Sequence, residues 1–197
     1  MRVLTLILLI TMNLPLVGFA QQSNAKKVWN HDPGHSQLGF YVKHMGVSQV
    51  QGLFNDFSVV AELSKEDLSD LSIKLEAKTA SINTNIEMRD EHLRTADFFE
   101  VEKYPNLTFE STSVVPNGDN FAKIYGYLTL KGVKKLVELD AIYYGSYNDE
   151  KSGNTVAGFQ VVGIIKRLDF NVGSKYPNAV LSDDIHINAN LEFIKKK

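Results

Sequence analysis

From Ser36 to the C-terminus the chain alternates apolar and polar residues with a period of two, and this pattern restricts the fold more than any other feature. The last run is the clearest: Ile185, Ile187, Ala189, Leu191 and Phe193 share one parity, with His186, Asn188, Asn190 and Glu192 on the other. Successive side chains of a strand point to opposite faces, so each such run predicts a β-strand with one apolar face. The first run sets Leu38, Phe40, Val42 and His44 against Gln37, Gly39, Tyr41 and Lys43. Similar runs cover 47–63, 71–79, 107–115, 121–131, 133–147 and 155–167, and a short strand is expected near 28–30. Gly52 is expected to mark a bulge or bend within 47–63. In 121–131 two parities compete for the inside, Phe121, Tyr125 and Tyr127 against Ile124, Leu128 and Leu130.

About eight antiparallel strands with one apolar face must bury that face, in a sandwich or in a closed barrel. Closure also removes the sheet edges that invite aggregation. An eight-stranded barrel is just wide enough to fill with side chains or to hold one small ligand. The longest runs make a tall barrel, whose interior would suit something slender and apolar. One segment, 85–99, does not alternate. Asn85 is placed to cap a helix there, with Glu87 and Asp90 near the positive end of its dipole and Pro105 barring continuation. A second short helical piece is expected at 65–70. Residues 26–197 show no repeat and no shift in composition, so they form one domain.

The N-terminus reads differently. Arg2 precedes an apolar stretch at 3–12, and Gly18-Phe19-Ala20 places small residues at the exit. That is the layout of a secretory signal peptide, with cleavage expected after Ala20 and residues 21–197 as the exported chain. A membrane anchor needs about 20 apolar residues, and Asn13 and Pro15 interrupt this run. No later segment approaches spanning length, so the mature chain has no expected membrane span.

Composition removes several functions. Lys and Arg number 21 against 23 Asp and Glu, a net charge of −2, which argues against nucleic-acid binding by phosphate neutralisation. Cysteine is absent, which excludes thiolate nucleophiles, disulfides and cysteine-held metal clusters. No Gly-x-Ser-x-Gly elbow occurs, and Gly126, Gly132 and Gly145 are separate glycines with no phosphate cradle among them. His31 and His35 are separated by Pro33-Gly34, so they do not share a helix face as a zinc pair would. Neither a metal site, a cofactor nor a catalytic residue is expected from these patterns.

Five ordered pieces carry a family resemblance. They are His35-Ser36-x-Leu38-x-Phe40-x-Val42-x-His44, Gly52-x-Phe54-x-x-Phe57, His92-Leu93-x-x-x-x-Phe98-Phe99 with Tyr104-Pro105-x-x-x-Phe109, Gly126-x-Leu128-x-Leu130-x-Gly132-Val133, and Arg167-x-Asp169-Phe170. Together they resemble the YceI-like family over nearly all of 27–193. The resemblance implies an extended, eight-stranded, lipocalin-like antiparallel β-barrel in the bacterial periplasm, which binds a polyisoprenoid or other long-chain lipid. Some members pair, so a homodimer is a further expectation. Asn171 departs from the pattern, standing where the family would place glycine.

The expected ligand tunnel is lined by Leu38, Phe40, Val42, Phe54, Leu75, Phe109, Phe159, Val161 and Ile165, with His44 and Arg167 as head-group candidates. His44 is otherwise a buried imidazole hydrogen-bonded to a neighbour. Arg167 cannot shed its proton, so it needs acceptors: Asp56 or Asp169 internally, or a ligand's anionic end. His92 either lies over a barrel end and touches ligand or faces solvent. His35 is expected to organise the turn before the first long strand, and Arg89 and Arg94 to be surface charges. The function expected is that of an exported lipid carrier. The alternatives are an enzyme acting on a lipid or quinone with His44 as acid or base, and an interaction protein with a solid barrel.

Overall fold

The computed structural model describes residues 26–64 and 70–196. The expected signal segment and most of the helical piece expected at 65–70 lie outside these residues. The described chain forms strands β1 (Lys27–His31), β2 (Gln37–His44), β3 (Ser48–Phe54), β4 (Phe57–Leu63), β5 (Ser72–Lys78) and β6 (Ile82–Asn83). Helix α1 (Glu87–Arg94) follows, then β7 (Asn106–Pro116), β8 (Phe121–Leu130), β9 (Val133–Asn148), β10 (Thr155–Lys166) and β11 (Leu181–Lys195).

All pairings are antiparallel. β1 and β2 lie end to end along β11, and β4 and β3 lie end to end beside them, so each pair is one strand with a break. Counted this way, eight strands follow one another in sequence order around a closed ring, and β11 returns to β1 and β2. This is the expected eight-stranded antiparallel barrel. The closing seam pairs Ile185 with Val42, Ile187 with Phe40 and Ala189 with Leu38, and then, past the break, Phe193 with His31. At the break the Ser36 hydroxyl stands in for backbone: Oγ accepts from Glu192 N at 3.0 Å and donates to Glu192 O at 3.3 Å.

The apolar parities turn inward. Leu38, Val42, Phe54, Val59, Ala77, Phe109, Leu139, Ala141, Ile165, Leu191 and Phe193 are all buried. In β8 the contest is won by Ile124, Leu128 and Leu130, which are buried, whereas Phe121 and Tyr127 are exposed. Aromatics tolerate the wet face because part of the ring is covered there; Lys134 Nζ sits 4.8 Å from the Tyr127 ring centre.

Two local expectations are corrected. Gly52 is no bulge: β2 and β3 stay in register from Leu38↔Phe54 to His44↔Ser48, and the break falls at 55–56. Gly52 is needed because the Phe40 ring lies across it; a Cβ there would come within 2.5 Å of Phe40 Cζ. Asn85 does not cap α1 either. It has φ of 63°, and Ile86 takes the N-cap position without a side-chain bond. The first turn is served instead by the Ile86 carbonyl, which accepts from Arg89 N and Asp90 N, both at 3.0 Å. Glu87 and Asp90 do occupy that first turn.

Gly52→Ala is expected to lower unfolding stability by about 1–3 kcal/mol, the usual cost of overpacking. Urea denaturation measures it, and Phe40→Leu in the same chain should restore part of the loss.

Candidate functional site

One end of the barrel is closed by α1, the turn after it and the loop between β10 and β11. Helix α1 is tied down from below. Arg94, expected as a free surface charge, donates from Nε to Ala80 O at 3.0 Å and from Nη2 to Ile82 O at 3.2 Å. Arg89, expected to be the same, donates from Nε to Thr84 Oγ1 and from Nη2 to Thr84 O, both at 2.7 Å. Thr84 and Asp90 are both only 4% exposed. Asp90 Oδ1 accepts from Thr84 N at 2.9 Å and from Thr84 Oγ1 at 2.5 Å. The two cations are therefore bracing residues at the rim of the barrel, because α1 lies across that rim.

The loop after β10 is folded around Arg167, which is 1% exposed. Its Nε donates to Ser182 O at 3.0 Å; Nη1 donates to Val172 O at 3.1 Å and Gly173 O at 2.6 Å. Nη2 donates to Tyr176 O at 2.6 Å and Leu181 O at 2.9 Å. All five N–H groups of the guanidinium are thus taken by backbone carbonyls. Neither Asp56 nor Asp169 is its partner, and no ion pair reaches it among the described residues. Burial draws its pKa below the ordinary value, opposed by the charge of Asp183. Asn171 adopts φ 56° and ψ 27° at the end of the turn over Arg167–Phe170. That left-handed geometry explains why glycine would be usual there and why asparagine serves.

The two sides of the cap meet through rings. Phe98 stacks on Tyr176 at 5.2 Å, and His92 meets Phe98 edge-on at 5.2 Å. His92 Nε2 lies 3.3 Å from Tyr176 Oη and 3.5 Å from Asp97 Oδ2. Asp97 is paired with Lys175 at 2.5 Å, and this ammonium is the main reason its carboxyl titrates below the usual range.

Beneath the cap is a chamber of about 320 Å³. Its walls come from Phe40, Val42, His44, Val50, Leu130, Ile165 and Ile185, and its roof includes Arg89, His92, Leu93, Phe98 and Tyr176. Of the twelve residues expected to meet ligand, six are gathered here: Phe40, Val42, His44, His92, Ile165 and Arg167. Leu38 and Phe54 instead face a second hollow of about 580 Å³, at the side of the barrel where the strands break. Leu75, Phe109, Phe159 and Val161 pack into the core and line neither space. The space expected along the whole axis is thus a chamber at its capped end.

His44 is half-buried and makes no side-chain hydrogen bond among the described residues, so it is not the satisfied core imidazole. No carboxylate orients it as one would orient a catalytic base. His35 does organise its turn: Nδ1 lies 2.8 Å from Asp32 Oδ2, and that hydrogen bond raises the histidine pKa and lowers that of the aspartate. Asp32, His35 and Glu192 place one ligand atom each within 4.8 Å of one another. The sequence reading missed Arg89, Leu93, Thr84 and Tyr176. The signal for the first two was present, since Arg89, His92 and Leu93 share one helix face by their spacing.

Arg167→Lys is expected to destabilise the fold by at least ~2 kcal/mol. A lysine has three donors for five carbonyls, and each buried carbonyl left unpaired costs about 1–3 kcal/mol. A lower urea midpoint, with faster amide exchange confined to 171–182, is the signature.

Comparison with known proteins places this architecture. The sequence matches the YceI-like domain over residues 29–193. A UPF0312 protein of Pectobacterium atrosepticum is 39% identical over 163 residues, 83% of this chain and 83% of that one. The YceI protein of Campylobacter jejuni superposes with a TM-score of 0.71 at 35% identity, over 79% of this chain and 90% of that one. A polyisoprenoid-binding domain from Saccharophagus degradans shares the fold, with a TM-score of 0.62 at 17% identity over 85% of this chain and 98% of its own. Among the described residues no helix is long and apolar enough to cross a membrane. The match runs from within β1 to within β11, through both broken strands and the cap, and the chain belongs to the YceI-like family.

Proposed function

We propose that this protein is an exported, periplasmic carrier that holds a long-chain isoprenoid or other amphiphilic lipid in its barrel. The observation that carries the reading is the apolar chamber under the cap, walled by Phe40, Val42, Val50, Leu130 and Ile165. The polyisoprenoid-binding relative with the same fold supports it. The driving force is desolvation, worth about 0.8 kcal/mol for each methylene taken out of water. Polar groups at the roof then fix which end of the chain lies where. Export follows from the N-terminal segment, cleaved after Ala20.

Binding accounts for the site better than catalysis does. Among the described residues His44 has no orienting partner, and an acid–base group needs one to hold its tautomer and aim. The deciding experiment is to isolate the protein from the periplasm of its host and identify what it holds by native mass spectrometry and lipid extraction. The expected result is a chain starting at Gln21 with one isoprenoid or acyl lipid bound. Protein that is empty and takes up neither prenyl nor acyl chains would overturn the carrier reading. Turnover of bound lipid that is lost in His44→Ala, with binding retained, would replace it with the enzyme.

A further inference from the structure

We propose that the roof of the chamber at Arg89 is an anion site, so that the ligand is a single-chain amphiphile whose polar end is a carboxylate or phosphate. This rests on the carrier reading and narrows it. The first observation is the state of the Arg89 guanidinium. Thr84 takes Nε and one Nη2 hydrogen, both at 2.7 Å, and so occupies one edge of the planar fork. The other edge, formed by Nη1 and the second Nη2 hydrogen, has no protein partner among the described residues. Two parallel N–H groups of that kind match the two oxygens of a carboxylate or phosphate.

The second observation is that this fork is held still. Thr84 Oγ1 accepts from Arg89 while donating to Asp90, and Asp90 receives the Thr84 backbone N–H as well. Asp90 is thereby occupied by Thr84, and no ion pair joins it to Arg89. Thr84 and Asp90 are positioning residues for the cation.

The third is the sign of the charge around the chamber. The chain carries more acids than bases, 23 against 21. Yet none of the residues lining this space is Asp or Glu, while two are arginines; Asp90 stands behind Thr84 and Asp97 is paired with Lys175 beside His92, both outside the lining. Arg167 adds a cation to the wall, hydrogen-bonded to carbonyls and to no carboxylate, with the charge of Asp183 acting on it through space. In a low-dielectric space such a charge acts on a ligand far more strongly than it would in water. A neutral alcohol, amide or quinone gains a hydrogen bond from it, and an anion gains the attraction of opposite charge as well.

The probes are chosen to fit. A space of 320 Å³ equals about eleven water-sized volumes of ~30 Å³, which suits chains of ten to twelve carbons. Binding of dodecanoate and dodecanamide, and of geranyl phosphate and geraniol, is measured by calorimetry on delipidated full-length mature protein. The expected result is a preference of about tenfold or more for the charged member of at least one pair, the scale of a hydrogen bond to a charged group. Which pair shows it identifies carboxylate or phosphate as the natural end. In Arg89→Gln the ratio within the pair should collapse towards one, and in Arg89→Lys it should fall only partly; thermal melts verify that both variants fold. Equal affinity within both pairs, or a preference that survives in Arg89→Gln, overturns the anion site and leaves the carrier standing. If none of the four binds, the carrier reading falls and the anion site with it.

Discussion

A sheet with one apolar face must hide both that face and its two edges, and here a single strand, β11, does the joining. It pairs with β10 along one side and with both β2 and β1 along the other. The seam holds across a break because Ser36 Oγ and Asp32 N both bond to Glu192, so the backbone groups of β11 find partners where the neighbouring strand leaves the ladder. An unpaired backbone group in that position would cost as much as a lost hydrogen bond. The adjoining break at 55–56 is satisfied in the same manner, with Asn55 N donating to Ser81 O and Asp56 N to Ser81 Oγ. Two breaks side by side bend the wall without opening the ring. The side hollow lies where they meet.

At the capped end the governing interaction is the burial of Arg167. A cation out of water is costly unless its donors are satisfied, and here the donors are satisfied by the turns that follow β10 and by the first two residues of β11. Carbonyls from Val172 to Ser182 converge on one side chain, which fixes the loop's path and brings Tyr176 against Phe98. A carboxylate partner would have satisfied the guanidinium too, but it would also have cancelled the field. Carbonyls complete the hydrogen bonding and leave the charge. The same choice that shapes the cap therefore sets the electrostatics of the space under it.

The fold was legible because burial and period two coincide: β5, β9, β10 and β11 bury the parities that the sequence marks as apolar. Two features were hidden because they depend on contacts between strands. Gly52 looks like a bend in sequence, yet it is small because Phe40 from the neighbouring strand crosses it. Asn85 has the chemistry of a cap, yet its left-handed backbone puts Ile86 in that role. The site was half legible. Phe40, Val42 and Ile165 followed from parity, but parity says only which side faces the axis, not which height along it is empty. Arg89 was misread for a different reason: its spacing puts it on one face with His92 and Leu93, yet a cation on a short helix reads as a solvent-facing charge until the placement of α1 over the barrel end is known.

Height along the axis is also what limits the guest. The rings of Tyr143, Phe159 and Phe193 pack on one another, at 5.1 and 5.9 Å between centres, and line neither hollow. Phe54 holds a different position. It packs on Phe40 at 5.8 Å and on Phe99 at 5.6 Å, both of which line the chamber, and it lines the side hollow itself. Phe54 therefore joins the lining of one space to that of the other. A guest larger than the chamber's volume of about 320 Å³ would need further room. The strand breaks at 32–36 and 55–56 thus lie beside the ring that touches the linings of both spaces.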